Sequence, residues 1–475
     1  MDLALTNAQV LTMTGDGVGP LEEAAIGIEN GDLVFVGPTG EFDPGEADEV
    51  VDCSNRLIVP GLVNAHAHMG LTMLRGGAQD VPEIEWMNRA LAPLARYLDA
   101  DDQILGARLG VIEAVCHGTT TVCEYAANVE RLVEEVYDPL GVRVVATETI
   151  NELADERDDL GPRDVPTLDR QLGANALERT ERLFERYADH DRVSVTYGPQ
   201  AVDMVSPETL REVTRRAEEN NRDVHVHVAQ GERERLQVEA RYGSGTRSVD
   251  VLEETGLADD RLIAAHLHDA TTAERKRLAK AGVRMVGCPS SIAAIDGIVP
   301  PVLEYVEAGG VAGVGTDQAP GSGRHDILEE VRTLAMLTKC ARTDPRALPA
   351  WQALRLATVD GARALGLDDC IGTIEVGKRA DLAIVDLDAT AMVPAVETPF
   401  HTAVPNLVSS ATGSAVDAVL VDGEFLVRDG VFVHADVEAL SRRVNERAKA
   451  VFDAATDDWQ AAGSALVDDA SHGRL

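Results

Sequence analysis

The sequence predicts an α/β protein: a (β/α)8 TIM barrel with a small β-sandwich domain built from both chain ends. Three observations lead there. Eight short apolar segments alternate with helix-like stretches over about 310 residues. Strand-and-turn texture precedes this alternation and returns after it. At 475 residues, the chain also suits one large domain with a smaller companion.

The first element is the N-terminal β region, residues 1–57, with short strands and Gly turns in "AQVLTM", "AAIGIENGDLVFVG" and "EVVDCSNRLIVPG". The barrel is expected over residues 58–370. Its strands are "LVNAHAHMG" (62–70), "TTTVCEYA" (119–126), "VRVVATETI" (142–150), "VSVTYGP" (193–199), "DVHVHVAQ" (223–230), "LIAAHLHD" (262–269), "VRMVGCP" (283–289) and "VAGVGTDQ" (311–318). Amphipathic runs separate them, such as "SPETLREVTRRAEENN", with Ser206 and Pro207 in the cap and first-turn positions. A further helix is expected near 350–366. Residues 371–433, with "IGTIEVGKRADLAIVDLD" and "VDAVLVDGEFLVRDGVFV", should complete the β-domain. Residues 434–475 read as a helix and a polar tail.

Composition excludes several classes of partner. The formal charge is −38, from 81 acidic and 43 basic residues, and only five of the basic residues are lysines. A face for nucleic acid or an anionic membrane needs clustered Lys and Arg, so neither partner is expected. An acidic, lysine-poor surface suggests a halophilic protein kept soluble in concentrated salt. No uncharged apolar run reaches membrane-spanning length, and "MDLALTNAQVLTMTGDG" lacks the basic start of a signal peptide. The six cysteines are scattered without a CxxC pair and read as reduced thiols, so a cytoplasmic location is expected.

The chemistry gathers where barrel strands end, since C-terminal strand ends face a barrel's active site. The first strand ends in His66 and His68, the fifth in His227, the sixth in His266 and the eighth in Asp317. A two-residue spacing puts His66 and His68 on one side of a strand, where both can hold one ion. Imidazoles with a carboxylate suit one divalent metal, zinc or iron first, nickel or manganese after them.

The same residues carry a resemblance. "GLVNAHAHMGLTMLRGGAQD" is similar to the opening signature of the amidohydrolase superfamily of metal-dependent hydrolases. "VAQ" after His227, "AAHLHD" around His266, "GVGTDQAP" around Asp317 and "GTIEVGKRADLAIVD" resemble its later segments. "LRGGAQDVPEIEWM" resembles the branch of methylthioadenosine/S-adenosylhomocysteine deaminases and triazine (atrazine-type) hydrolases. The resemblance implies His66, His68, His227 and Asp317 as metal ligands and Asp317 as general base. It also implies His266 as the group that polarises substrate or water, and a homodimer or higher homo-oligomer. Two-metal relatives bridge their ions with a carboxylated lysine. This chain has no lysine before Lys276, so one metal is expected.

One position departs from that branch. A glutamate three residues past the third histidine would protonate a ring nitrogen there, and this chain has Gln230. An amide can donate a hydrogen bond but has no dissociable proton at neutral pH. Gln200 likewise replaces an expected histidine in "GPQA". Three readings follow for a small-molecule substrate. The first is aminohydrolase-type cleavage of a carbon–nitrogen bond in an N-heterocycle such as a purine nucleoside or triazine, with the proton supplied from elsewhere; Glu232 and Glu234 are near in sequence. The second is hydrolysis of an amide, urea or cyclic amide, with Gln230 as an orienting group. The third is a binding protein on a catalytically dead barrel.

Gln200, Trp86 and Glu85 are the candidate substrate contacts. His225 reads as a packed barrel histidine, His268 as a residue of the mouth, and His117 as structural. Arg75 should hold its loop through a buried ion pair, and Cys288 is placed to line the pocket. The acidic runs "ADERDD" and "LVDDASHG" read as solvated surface.

Overall fold

The computed structural model describes residues 1–154 and 160–475; most of the run "ADERDD" lies outside the described residues. Eight parallel strands form the barrel: β6 (Leu62–Ala67), β7 (Thr119–Ala126), β8 (Arg143–Ile150), β9 (Val193–Pro199), β10 (Val224–Val228), β11 (Leu262–His266), β12 (Arg284–Gly287) and β13 (Val311–Val314). Each falls on one of the eight apolar segments, because a parallel strand covered on both faces is apolar nearly throughout. Val63, Ala65, Cys123, Val145, Ile263 and Val286 form one buried cluster, packed with Ala362, Leu365 and Ile371 from the segment after the barrel.

Closure comes from the ends of the first and last strands. The Asp317 N–H donates to the His66 carbonyl at 3.0 Å, and the His68 N–H donates to the Asp317 carbonyl at 3.1 Å. The backbone that closes the barrel therefore also carries the polar side chains of its mouth. Between strands, the helix Pro207–Asn220 begins as the sequence predicts, with the Ser206 hydroxyl accepting the Thr209 N–H at 3.4 Å and Pro207 in the first turn. The helix expected near 350–366 is two short ones, Ala350–Leu356 and Val359–Ala364.

Strands β1 (Leu3–Leu11), β2 (Pro20–Glu29), β3 (Asp32–Pro38), β4 (Glu49–Asp52) and β5 (Arg56–Pro60) join β14 (Leu382–Asp386), β15 (Val416–Val421), β16 (Glu424–Arg428) and β17 (Val431–Phe432). They form one mostly antiparallel sheet, ordered β17-β16-β15-β14-β5-β1-β2-β3, with β4 beside β1. Its two halves share a single core, in which Ile26, Ile28 and Leu33 meet Leu382, Ile384 and Leu420. Arg379 ties the halves together, reaching Asp32 at 2.8 Å and Asp422 at 2.6 Å.

This sheet is fastened to the barrel through Arg143 at the start of β8. Its guanidinium donates to both carboxylate oxygens of Asp381, at 2.8 and 3.0 Å, and to Asp422 at 2.5 Å. Arg143 and Asp381 are almost wholly buried. Burial pushes the Asp422 carboxyl upward, but Arg379 and Arg143 more than offset it and hold it below the usual range. The helix Val437–Ala462 then crosses the barrel's flank. The last buried residue, Leu466, packs with Ala78, Val81, Trp86 and Ala90 of the loop after β6. Among the described residues, no helix is long and apolar enough to cross a membrane.

Removing one partner from a buried charge network leaves the others uncompensated, at a cost of about 3–5 kcal/mol. Arg143→Met should lower the unfolding free energy by about that much in denaturant titration; a loss below about 1 kcal/mol would contradict a fastening role. Salt should act oppositely on the whole chain. At −38, screening relieves self-repulsion, so Tm should rise from low salt to molar KCl. A falling Tm would show that surface ion pairs outweigh that repulsion.

Candidate metal centre and active site

His66 and His68 arrive on β6 and the residue after it, His227 on β10, His266 at the end of β11, and Asp317 just past β13. The structure brings all five to the barrel mouth, as the sequence predicts. The hydrogen bonds of the rings decide what they present there. His68 Nδ1 lies 2.7 Å from the Tyr125 carbonyl and His227 Nδ1 lies 2.8 Å from the Gln200 carbonyl. A carbonyl only accepts, so both Nδ1 atoms carry hydrogen and both Nε2 atoms keep a lone pair. Those two Nε2 atoms face each other at 3.3 Å. The buried His66 Nε2 has no hydrogen-bond partner. Asp317 Oδ1 lies 3.7 Å from His66 Nε2 and 3.6 Å from His68 Nε2.

Ligand atoms of His66, His68 and Asp317 lie within 4.8 Å of one another, as do those of His66, His227 and His266, and such crowded donors repel each other unless a cation joins them. Zinc–nitrogen bonds of about 2.0–2.1 Å in a tetrahedral site set ligands roughly 3.3 Å apart, close to the Nε2–Nε2 and Nε2–Oδ1 separations above. The donor set therefore fits one divalent ion. Burial holds His66 and His227 well below the ordinary histidine range, aided by repulsion from neighbouring rings, and it lowers His68 as well. All three are thus set to coordinate as neutral rings.

The groups behind this cluster orient it. His225 does more than pack: its Nε2 lies 3.1 Å from His66 Nδ1 and its Nδ1 lies 3.2 Å from Cys123 Sγ. Accepting from His66 Nδ1 leaves the His66 Nε2 lone pair directed at the cluster. Burial lowers the His225 pKa to about 3, so the ring is neutral and can accept. Ser291 donates to Asp317 Oδ2 at 2.6 Å, leaving Oδ1 toward the histidines. His266 is neutral too, its pKa lowered to about 3 first by burial, and its Nδ1 is buried without a partner.

His68, His227, His266 and Asp317 line a cavity of about 180 Å³ together with Glu83, Trp86, Gln200, Gln230, Arg233, His268, Ser291 and Asp296. Gln230, Gln200 and Trp86 are therefore on its wall as expected. The Trp86 indole also donates to the Ala78 carbonyl at 2.9 Å, and the Gln200 amide oxygen accepts from Asn151 at 2.5 Å. Glu85 is a correction: it does not line the cavity, whereas Glu83 does. Glu83 and Trp86 are three residues apart in a helical turn and share its inner face, which turns Glu85 away.

Other expectations are refined. Cys288 is buried and absent from the cavity wall, and burial holds its thiol well above the usual range. Arg75 does pair with Glu113, but its side chain is 37% exposed, so that ion pair is not buried. His268 is on the wall, with Nε2 3.1 Å from Asp296. His117 lies at the end of the helix Ala100–Cys116, near the His325 carbonyl, in a structural position. The sequence reading missed Glu83, Arg233, Ser291 and Asp296. Ser291 stands three residues past Cys288, and Glu83 lies within "LRGGAQDVPEIEWM", three residues before Trp86. Arg233 is buried and held by Asp203 at 2.8 Å, a pairing across 30 residues with no local signal.

A parallel barrel with three histidines and one aspartate clustered at its mouth defines the class of metal-dependent barrel hydrolases. Residues 57–426 match the amidohydrolase family, and the chain belongs to it. It is 33% identical to a 5-methylthioadenosine/S-adenosylhomocysteine deaminase of Desulforudis audaxviator over 94% of this chain and 99% of that protein. A zinc-bound adenosine deaminase structure from Xanthomonas campestris superposes with a TM-score of 0.84 at 29% identity, covering 94% of this chain and 99% of that one. The zinc-complexed atrazine chlorohydrolase of Arthrobacter aurescens shares the fold, with a TM-score of 0.81 at 22% identity over 94% of this chain and 100% of that one.

His225→Leu removes the acceptor for His66 Nδ1 and should weaken zinc binding about 10- to 100-fold in chelator competition. Unchanged affinity would show that His225 only fills space.

Proposed function

We propose that the protein is a mononuclear metal-dependent hydrolase of the aminohydrolase type, cleaving a carbon–nitrogen bond of an N-heterocycle such as a purine nucleoside or a triazine. The observation that carries this reading is the donor cluster at the barrel mouth, with the His68 and His227 Nε2 atoms 3.3 Å apart and Asp317 Oδ1 3.7 and 3.6 Å from the Nε2 atoms of His66 and His68. The names of its deaminase relatives support the substrate class.

His66, His68, His227 and Asp317 would hold one divalent ion, zinc ahead of iron, nickel or manganese. When bound, such an ion lowers the pKa of water to about 7 and so supplies a nucleophile at neutral pH. Asp317 takes a proton from the attacking water and passes it to the leaving amine. Ser291, bonded to Oδ2, keeps the other oxygen of that carboxylate turned to the reaction. His266, neutral and on the cavity wall, donates a hydrogen bond to the atom that gains negative charge.

Gln230 on the same wall favours a second reading, hydrolysis of an amide, urea or cyclic amide, since a polarised carbonyl needs no ring protonation. A panel of adenosine-like, guanine-like and triazine compounds, read by ammonia release, separates the two. The first reading predicts ammonia from at least one heterocycle, with kcat/KM of about 10⁴ M⁻¹s⁻¹ or more, and a loss of about 10²–10⁴-fold in Asp317→Asn. Carboxylate release from cyclic amides with no ammonia from any heterocycle would select the second.

A further inference from the structure

The proposed reaction needs a proton for the ring nitrogen, and Gln230 has none to give. The acids near it in sequence do not reach the cavity. Glu232 is exposed on the helix that starts there. Glu234 is buried but turned away, accepting the N–H groups of Ala229 at 3.2 Å and Gln230 at 2.8 Å and the Ser248 hydroxyl. Of the acids that do line the cavity, Asp317 belongs to the metal cluster and Asp296 is engaged by His268 at 3.1 Å.

Glu83 is placed differently. Its carboxyl lies against Gly231, the residue next to Gln230. A Cβ at Gly231 would fall 2.7 Å from Glu83 Cδ and 2.8 Å from Oε1, so a side chain there would displace the carboxyl. Gly231 also has φ of 136°, a conformation that L side chains rarely adopt. The Arg233 N–H donates to Glu83 Oε2 at 3.2 Å and fixes the group. Its helical turn is braced by Trp86, which packs with Leu466 of the C-terminal segment. A carboxyl is thus held on the wall beside the amide that replaces one.

We infer that Glu83 is the acid of this pocket, giving the ring nitrogen of the substrate the proton that Gln230 lacks. The inference rests on the heterocycle reading above. Burial raises the Glu83 pKa above the ordinary carboxylate range, with Arg233 opposing, which favours the proton-carrying form. The protons balance. As the water oxygen bonds to carbon, its first proton goes to Asp317 and the Glu83 proton goes to the ring nitrogen. The carbon–nitrogen bond to the amine then breaks, with the Asp317 proton leaving on ammonia. The remaining oxygen-bound proton returns to Glu83 as the carbonyl forms, and both carboxyl groups regain their starting states.

The test uses zinc-loaded full-length enzyme on whichever heterocycle of the panel releases ammonia. Glu83→Gln should lose about 10²–10⁴-fold in kcat, with KM, zinc content and Tm near those of the parent. Adding Gln230→Glu to Glu83→Gln restores an acid at the neighbouring position and should recover at least about tenfold of the loss. Glu83→Asp, which keeps an acid but shortens its reach, should fall between parent and Glu83→Gln. Glu83→Gln keeping a third or more of the parent kcat overturns the inference while the heterocycle reading stands. A loss that Gln230→Glu does not recover marks Glu83 as structural and overturns it as well. A parent enzyme silent on every heterocycle refutes the heterocycle reading, and the ring-nitrogen role of Glu83 falls with it.

Discussion

At the barrel mouth two imidazoles turn their Nε2 lone pairs toward each other at 3.3 Å, with a third buried lone pair and a carboxylate oxygen alongside. Carbonyls of Tyr125 and Gln200 hold two of the rings in that tautomer, and His225 is placed to hold the third. Without a shared cation this arrangement is repulsive, and burial makes protonation of the rings a poor remedy. The site is thus built around a positive charge that the side chains do not supply themselves.

The barrel and the cluster depend on the same few atoms. Backbone groups of His66, His68 and Asp317 make the hydrogen bonds that close the barrel between its first and last strands. A shift in closure would move three of the four candidate ligands together. The β-sheet fastened through Arg143 and Asp381 braces the opposite end, at the start of β8. The C-terminal segment holds the loop bearing Glu83 and Trp86 from outside through Leu466. Distant parts of the chain thus converge on the placement of a few polar atoms around a small cavity.

Much of this was legible in the residues. Buried parallel strands are apolar on both faces, so the eight segments stood out, and a barrel's geometry assigns meaning to a histidine or aspartate at a strand's end. The unread part depended on backbone conformations and contacts that no periodicity encodes. Ala229, His266 and Asp317 all have positive φ, so the chain bends sharply just past β10, β11 and β13. Past β10 the Ala229 and Gln230 N–H groups both donate to the Glu234 carboxylate, which holds it against its own backbone. The turn at Glu83–Trp86 brought Glu83 inward where Glu85 was expected. His225 looked like packing because its role depends on a hydrogen bond to His66, 159 residues away in sequence.

The most direct measurement of the central claim is metal content of the purified chain, by elemental analysis with X-ray absorption at the metal edge. The account predicts one divalent ion per chain with nitrogen and oxygen neighbours at about 2.0–2.2 Å, and loss of that ion in His68→Ala and His227→Ala variants that still fold. Two ions per chain, or a bound ion indifferent to both substitutions, would contradict it.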